Sequence, residues 1–134
     1  MNAFHDLVVL DEDECWDLLG SVRVARVGIN VDGRIDVLPI NHTVIDGHVA
    51  WLSGTGTKLG VAAAEAPIAL EADQIDEDTK HGWSVLVHGT ARIVTDDDVK
   101  QRLFDAETSP WAAPDQRTIW IEVADPVLSG RRVS

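Results

Sequence analysis

The chain has 134 residues, 45% apolar and 25% charged, a length and balance that suit one ordinary globular domain. Eleven basic against 23 acidic side chains give a net charge of −12, which argues against nucleic acid or an anionic membrane as partner. No apolar run reaches the ~18–20 residues needed to cross a bilayer, and the single cysteine, Cys15, excludes an internal disulfide.

The first residues, "MNAFHDLVVLDEDE", lack the basic start of a signal peptide. With the unpaired cysteine they set the expectation of a cytoplasmic protein. "LDEDECWDLLG" then predicts a short helix, with Asp11 as N-cap and Glu14 completing a capping box. Cys15, Leu18 and Leu19 share a face, and Gly20 is the expected stop.

Three strands follow. "VRVARVGINV" turns through Asp32-Gly33 into "RIDVLPINHTVI", which turns through Asp46-Gly47 into "HVAWLS". Asp-Gly between apolar runs signals a tight hairpin, because both central residues of its favoured turn need positive φ. In the first strand Val22 and Val24 sit out of phase with Val27, Ile29 and Val31, which predicts a bulge or bend. Pro39 cannot donate to a ladder, so it belongs at an edge, at a bulge, or where a ligand replaces the neighbouring strand.

"SGTGTKLGVAAAEAP" (residues 53–67) combines two glycines, three hydroxyls and a lysine with a short alanine-rich helix that Pro67 stops. N–H groups at a helix start attract anions, so this segment is the natural phosphate candidate. Read from the residues alone, Thr57 is equally an N-cap and Lys58 a solvated first-turn residue. "IALEADQI" alternates as a strand with Ile68, Leu70 and Ala72 on one face, and "DEDTKHG" is a solvated acidic loop. "WSVLVHGTARIV" is a long strand, with Val85, Val87, Ala91 and Ile93 on one side. Thr95 and Asp98 form a second capping box before the helix "DDDVKQRLFDAE", whose buried stripe is Val99, Leu103 and Phe104. "SPWAAPDQ" is a loop and "RTIWIEVA" the last strand.

Six mostly hairpin-connected strands and three short helices predict a mainly β protein, a small antiparallel barrel with helical plugs. A barrel this small fills its own interior, so a ligand must bind outside it or at a subunit contact. The scattered histidines and lone cysteine offer no zinc-like set. His42 and His88 read as core or surface residues, and Cys15 as a small buried hydrophobe.

The order "ECWDLLGSVRVARVGINVDGRIDVLPIN", "GTKL", "GWSVLVHGTAR" and a C-terminal "GRR" resembles the pyridoxamine 5′-phosphate oxidase-like superfamily of FMN-binding split β-barrels, over nearly the whole chain. The resemblance implies one split-barrel domain over residues 1–134 and a homodimer with two FMN molecules in grooves between protomers. It implies an oxidoreductase acting on a small-molecule substrate. Carried onto this sequence, it assigns Pro39, Ile40 and Asn41 to the flavin ring, Ser53, Thr57 and Lys58 to the phosphate, and Trp83 and Ser84 to the partner's flavin. Asn41 also reads as an inward polar residue satisfied by a neighbouring strand, and Trp83 as dimer core. No catalytic side chain and no metal ligand is assigned. Where relatives carry arginines this chain has Leu52 and Glu122, and losing two charge-assisted bonds of ~1.5–3 kcal/mol each weakens FMN by roughly two to four decades. The alternative is a non-enzymatic dimer on the same fold that binds or senses FMN, the deazaflavin F420 or haem, or that has no cofactor.

Overall fold

Both Asp-Gly pairs turn the chain as expected. Asp32 and Gly33 have φ of 52° and 83°, and Asp46 and Gly47 have 28° and 78°. The structure, a computed structural model, describes residues 7–53, 57–106 and 119–133, with backbone alone for 57–59. Its elements in chain order are β1 (Leu7–Val9), α1 (Glu12–Ser21), β2 (Val24–Val31), β3 (Arg34–Ile45), β4 (His48–Ser53), α2 (Thr57–Ala63), β5 (Pro67–Asp76), β6 (His81–Ile93), α3 (Asp97–Ala106) and β7 (Ile119–Val133). The loop expected at "SPWAAPDQ" lies outside the described residues.

All strand pairings are antiparallel, in the order β1-β7-β4-β3-β2-β5-β6, and β6 also pairs with β7. Six strands therefore close a ring, the expected mainly β split barrel, and the short β1 is appended to the end of β7. Alternation fills the interior. Ala25, Val27 and Ile29 of β2 face Ile68, Leu70 and Ala72 of β5 and Val85 and Val87 of β6, all nearly sealed from solvent. Cys15 and Leu19 of α1 and Val61 and Ala62 of α2 join this core as plugs. On the outer face α3 covers a second cluster of Ala50, Val94, Leu103 and Trp120. Phe104 meets Trp120 edge-on at 6.4 Å between ring centroids but stays 43% exposed, so it belongs to the rim rather than the buried stripe.

Several local expectations are corrected. Residues 24 to 31 of β2 pair with β3 without a break, so β2 carries no bulge. Val24 simply faces outward, and Ala25 begins the buried series. The bulge lies in β7. His88 pairs with Val127 and Thr90 with Ala124, so Asp125 and Pro126 oppose Gly89 alone, and Asp125 takes φ 50°. A Cβ on Gly89 would run into the Ala124 carbonyl and Val123, which is why glycine stands there. β7 continues through this bulge to Val133, well past the expected end at Ala124. β6 starts at His81, so the acidic loop shortens to Glu77–Lys80.

At α1 the Asp11–Glu14 capping box is present, but the helix runs through Gly20 to Ser21. At α3 the cap is Asp96, not Thr95. Its Oδ1 accepts from the N–H groups of Asp98 (2.9 Å) and Val99 (3.1 Å). α2 ends in a left-handed residue, Glu65 (φ 52°), with Ala66 N–H returning to the Val61 carbonyl at 3.1 Å, before Pro67 starts β5.

Candidate functional site: the split between β3 and β4

β3 is a strand with two different halves. Residues 42–45 are paired with β4, whereas residues 34–41 pair with β2 on one side and, among the described residues, with no strand on the other. The β3–β4 ladder begins at His42↔Trp51, and extending its register would set Ile40 opposite Ser53. There the two strands part. β4 turns instead to β7, where Leu52 pairs with Trp120 and Ser53 with Ile119. Among the described residues no strand pairs with that edge of residues 34–40, and Pro39, the residue that cannot donate, lies on it. Four residues after Ser53 the backbone of α2 begins.

Pro39, Ile40 and Asn41 lie at the end of β3 where it parts from β4, and Ser53 ends β4 four residues before α2 begins. Of these, Pro39 is exposed, Asn41 half-buried, and Ser53 buried at the lip of the split. Ile40 points into the barrel, 3% exposed and opposite Ala25, so only its backbone can meet a ligand. The side chains of Thr57 and Lys58 lie outside the described residues. Trp83 and Ser84 are elsewhere: within one chain β2 and β5 separate β6 from β3, roughly 14 Å at ~4.8 Å per strand. Trp83 is itself largely buried and lines cavities at the far ends of β5, β6 and β7.

Both departures from the arginine pattern have visible roles. Leu52 packs with the cluster beneath α3. Glu122 is a buried acid on the outer face of β7, its side chain 6% exposed. Arg92 donates to its Oε1 at 2.8 Å, and His48 Nδ1 lies 3.6 Å from the same oxygen. The bond to Glu122 pushes the Arg92 guanidinium above its ordinary value.

His42 is a buried tie between β3 and α1, its Nε2 2.8 Å from the Leu19 carbonyl, whereas His88 is exposed. Cys15 is completely buried, and burial with the nearby Asp11, Glu14 and Glu12 pushes its thiol up, which removes it as a nucleophile. No group of three or more potential metal ligands occurs among the described residues.

One cluster was not expected. On the outer face of β2 and β5, beside Pro39, the Arg26 guanidinium lies 3.8 Å from Glu71 and 3.7 Å from Asp73. Glu71 is pushed up to about 7, first by burial, then by its hydrogen bond to Asp73 and that residue's charge, against the pull of Arg26. Its only sequence signal is the acidic i, i+2 pair in "LEAD", which carries no hint of an arginine forty-five positions earlier.

A closed antiparallel ring opened by one parted strand pair defines a split-barrel protein. The sequence model of the pyridoxamine 5′-phosphate oxidase family matches residues 11–132, and the chain belongs to that family. It is similar to the uncharacterized Mycobacterium tuberculosis protein Rv0080, 32% identical over 96% of this chain and 87% of that one. Among solved structures, an FAD binding protein from Mycobacterium smegmatis is 37% identical and superposes with a TM-score of 0.80 over 95% of this chain and 100% of its own. An FAD-binding protein from Mesorhizobium loti, 22% identical over 96% of this chain and 99% of its own, shares the fold with a TM-score of 0.77. No helix among the described residues is long and apolar enough to cross a membrane.

Proposed function

We propose that the protein is a flavin-dependent oxidoreductase acting on a small molecule, assembled as a homodimer with FMN, or the larger FAD, held at the split. The observation that carries this reading is the edge of β3 over residues 34–40, which no strand among the described residues pairs, at the point where β3 and β4 part before Ser53. A bare strand edge presents alternating N–H and C=O groups, and the pyrimidine edge of an isoalloxazine ring presents the complementary set. The FAD-binding description of the Mycobacterium smegmatis relative supports the same ligand class.

In this reading the backbone of Pro39, Ile40 and Asn41 orients the ring. Ser53, Thr57 and Lys58 hold the phosphate, and Trp83 and Ser84 reach the flavin of the second copy. The flavin supplies the hydride and electron chemistry when bound, and the chain supplies binding, orientation and a dry face. Glu122 does not oppose this, because its charge is matched by Arg92 on the face that α3 covers. Exposed Ile35 and Val37 flank Pro39 on the sheet's outer surface and give the second copy an apolar seat.

Lys58→Ala is expected to weaken FMN at least tenfold in a fluorescence titration while far-UV circular dichroism stays unchanged, and unchanged affinity would place the phosphate elsewhere. Sedimentation at micromolar concentration is expected to give twice 14.6 kDa, and a monomer would remove the partner's half of the pocket. Leu52, which offers the phosphate no donor, favours the second reading of a flavin, F420 or haem carrier without turnover. A reconstituted protein that binds cofactor but reduces no acceptor with any nicotinamide or deazaflavin donor would establish it.

A further inference from the structure

In a chain with 23 acids for 11 bases, a cation without an acidic neighbour is unexpected. Arg26, Arg34, Arg92, Lys100 and Arg102 each form an ion pair, and Arg23 is also engaged. Lys80, Arg131 and Arg132 form no ion pair among the described residues, and all three line two adjoining cavities at the ends of β5, β6 and β7.

The register explains the convergence. β6 and β7 pair Trp83 with Arg132 and Ser84 with Arg131, while the β5–β6 turn delivers Lys80, held at φ 60° with its N–H on the Asp76 carbonyl at 2.8 Å. Consecutive strand residues face opposite ways, so the two arginines serve different cavities. Arg132 lines the larger, about 760 Å³, whose rim also carries Asp76 and Glu77. Arg131 and Lys80 line the smaller, about 300 Å³, which has no acid among its described lining residues. Its remaining lining is apolar, from Leu7, Ile75, Trp83 and Val133, with the polar Ser84 and His81.

A cavity that holds two cations, a hydroxyl and apolar walls, with no acid among its described lining residues, suits an anion with an apolar body. We propose that this cavity binds an organic phosphate, with Arg131 and Lys80 on the phosphate and Leu7, Ile75 and Val133 against the apolar part. Its source is either the adenosine half of a dinucleotide flavin or a free phosphorylated small molecule. The site adjoins Trp83 and Ser84 of the flavin reading but uses neither the open β3 edge nor the start of α2.

The test titrates adenosine diphosphate into the full chain by calorimetry, with R131A, R131Q, K80A and, as a control on a distant hairpin, R34A. Wild type and R34A are expected to bind, and R131A, R131Q and K80A to lose tenfold or more. Added sodium chloride should weaken wild-type binding, as for any charge-assisted contact. If R131A also weakens FAD but not FMN, the phosphate comes from the dinucleotide. If it weakens the diphosphate alone, a free organic phosphate is the ligand. An absence of diphosphate binding, or equal binding by R131A and R34A, overturns the proposal. Arginine-dependent diphosphate binding by a protein that takes up no FMN would sink the flavin reading and leave this site standing.

Discussion

Replacing Glu71 with glutamine should flatten part of the protein's pH–stability profile. Glu71 sits on the outer face of β5, one guanidinium away from Arg26 and hydrogen-bonded to Asp73, with 33% of its side chain exposed. Its folded value of about 7 lies above the ordinary 4.5, so the folded state holds this proton more tightly than the unfolded chain. The stability it contributes is therefore complete below pH 4.5, is lost as pH rises toward 7, and changes little beyond. At ~1.4 kcal/mol per pH unit, a move of this size in a group sealed from water is worth ~3 kcal/mol, and with a third of the side chain wetted, screening reduces it to ~1 kcal/mol. Urea unfolding at pH 5 and pH 8 measures the difference. Wild type should lose about 1 kcal/mol more than Glu71→Gln between these pH values, since all other titrations are common to both. Equal losses would mean that Glu71 is ionised on the folded surface, and the carboxyl pair would then share no proton.

Arg92→Leu leaves the buried Glu122 carboxylate with His48 as its one remaining ion-pair partner among the described residues, and should cost ~3 kcal/mol in urea unfolding. The double change Arg92→Leu with Glu122→Leu should recover most of that, and a harmless single change would show that the pair has no structural role. Asp96→Ala should lower stability by ~1 kcal/mol through loss of the α3 cap, whereas Thr95→Ala should be nearly silent. The reverse order would restore Thr95 as the cap.

What the sequence could and could not reveal follows from the range of each interaction. The Asp-Gly hairpins, the Asp11–Glu14 box and the Ile68, Leu70, Ala72 alternation depend on neighbours within a few residues, and each is present. The α3 cap failed at the same range because Asp96 stands directly beside Thr95, and a one-residue shift leaves the pattern nearly unchanged. β1 is three exposed residues with no alternation, and only its pairing with Arg131–Val133 makes it a strand. The final strand looked finished at Ala124 because Asp125-Pro126 has the composition of a turn. In the folded chain those two residues are a bulge, and a bulge is recognised only from the partner strand.

The candidate site divides the same way. Pro39 signalled a missing neighbour from its own chemistry, and among the described residues no strand pairs the β3 edge where it stands. The cations around Trp83 gave no such signal, since Lys80 and Arg131 are fifty-one positions apart and meet only because β6 returns antiparallel along β7. Charge totals did contain a hint. A strongly acidic chain needs no cationic pocket for solubility or for packing, and exposed arginines on a strand end would gain by pairing with any of the abundant carboxylates. Lys80 and Arg131 form no ion pair among the described residues although Asp76 and Glu77 stand in the same turn, whereas Glu122 is enclosed with Arg92, and a cation pair left unneutralised is what the proposed anionic ligand would use.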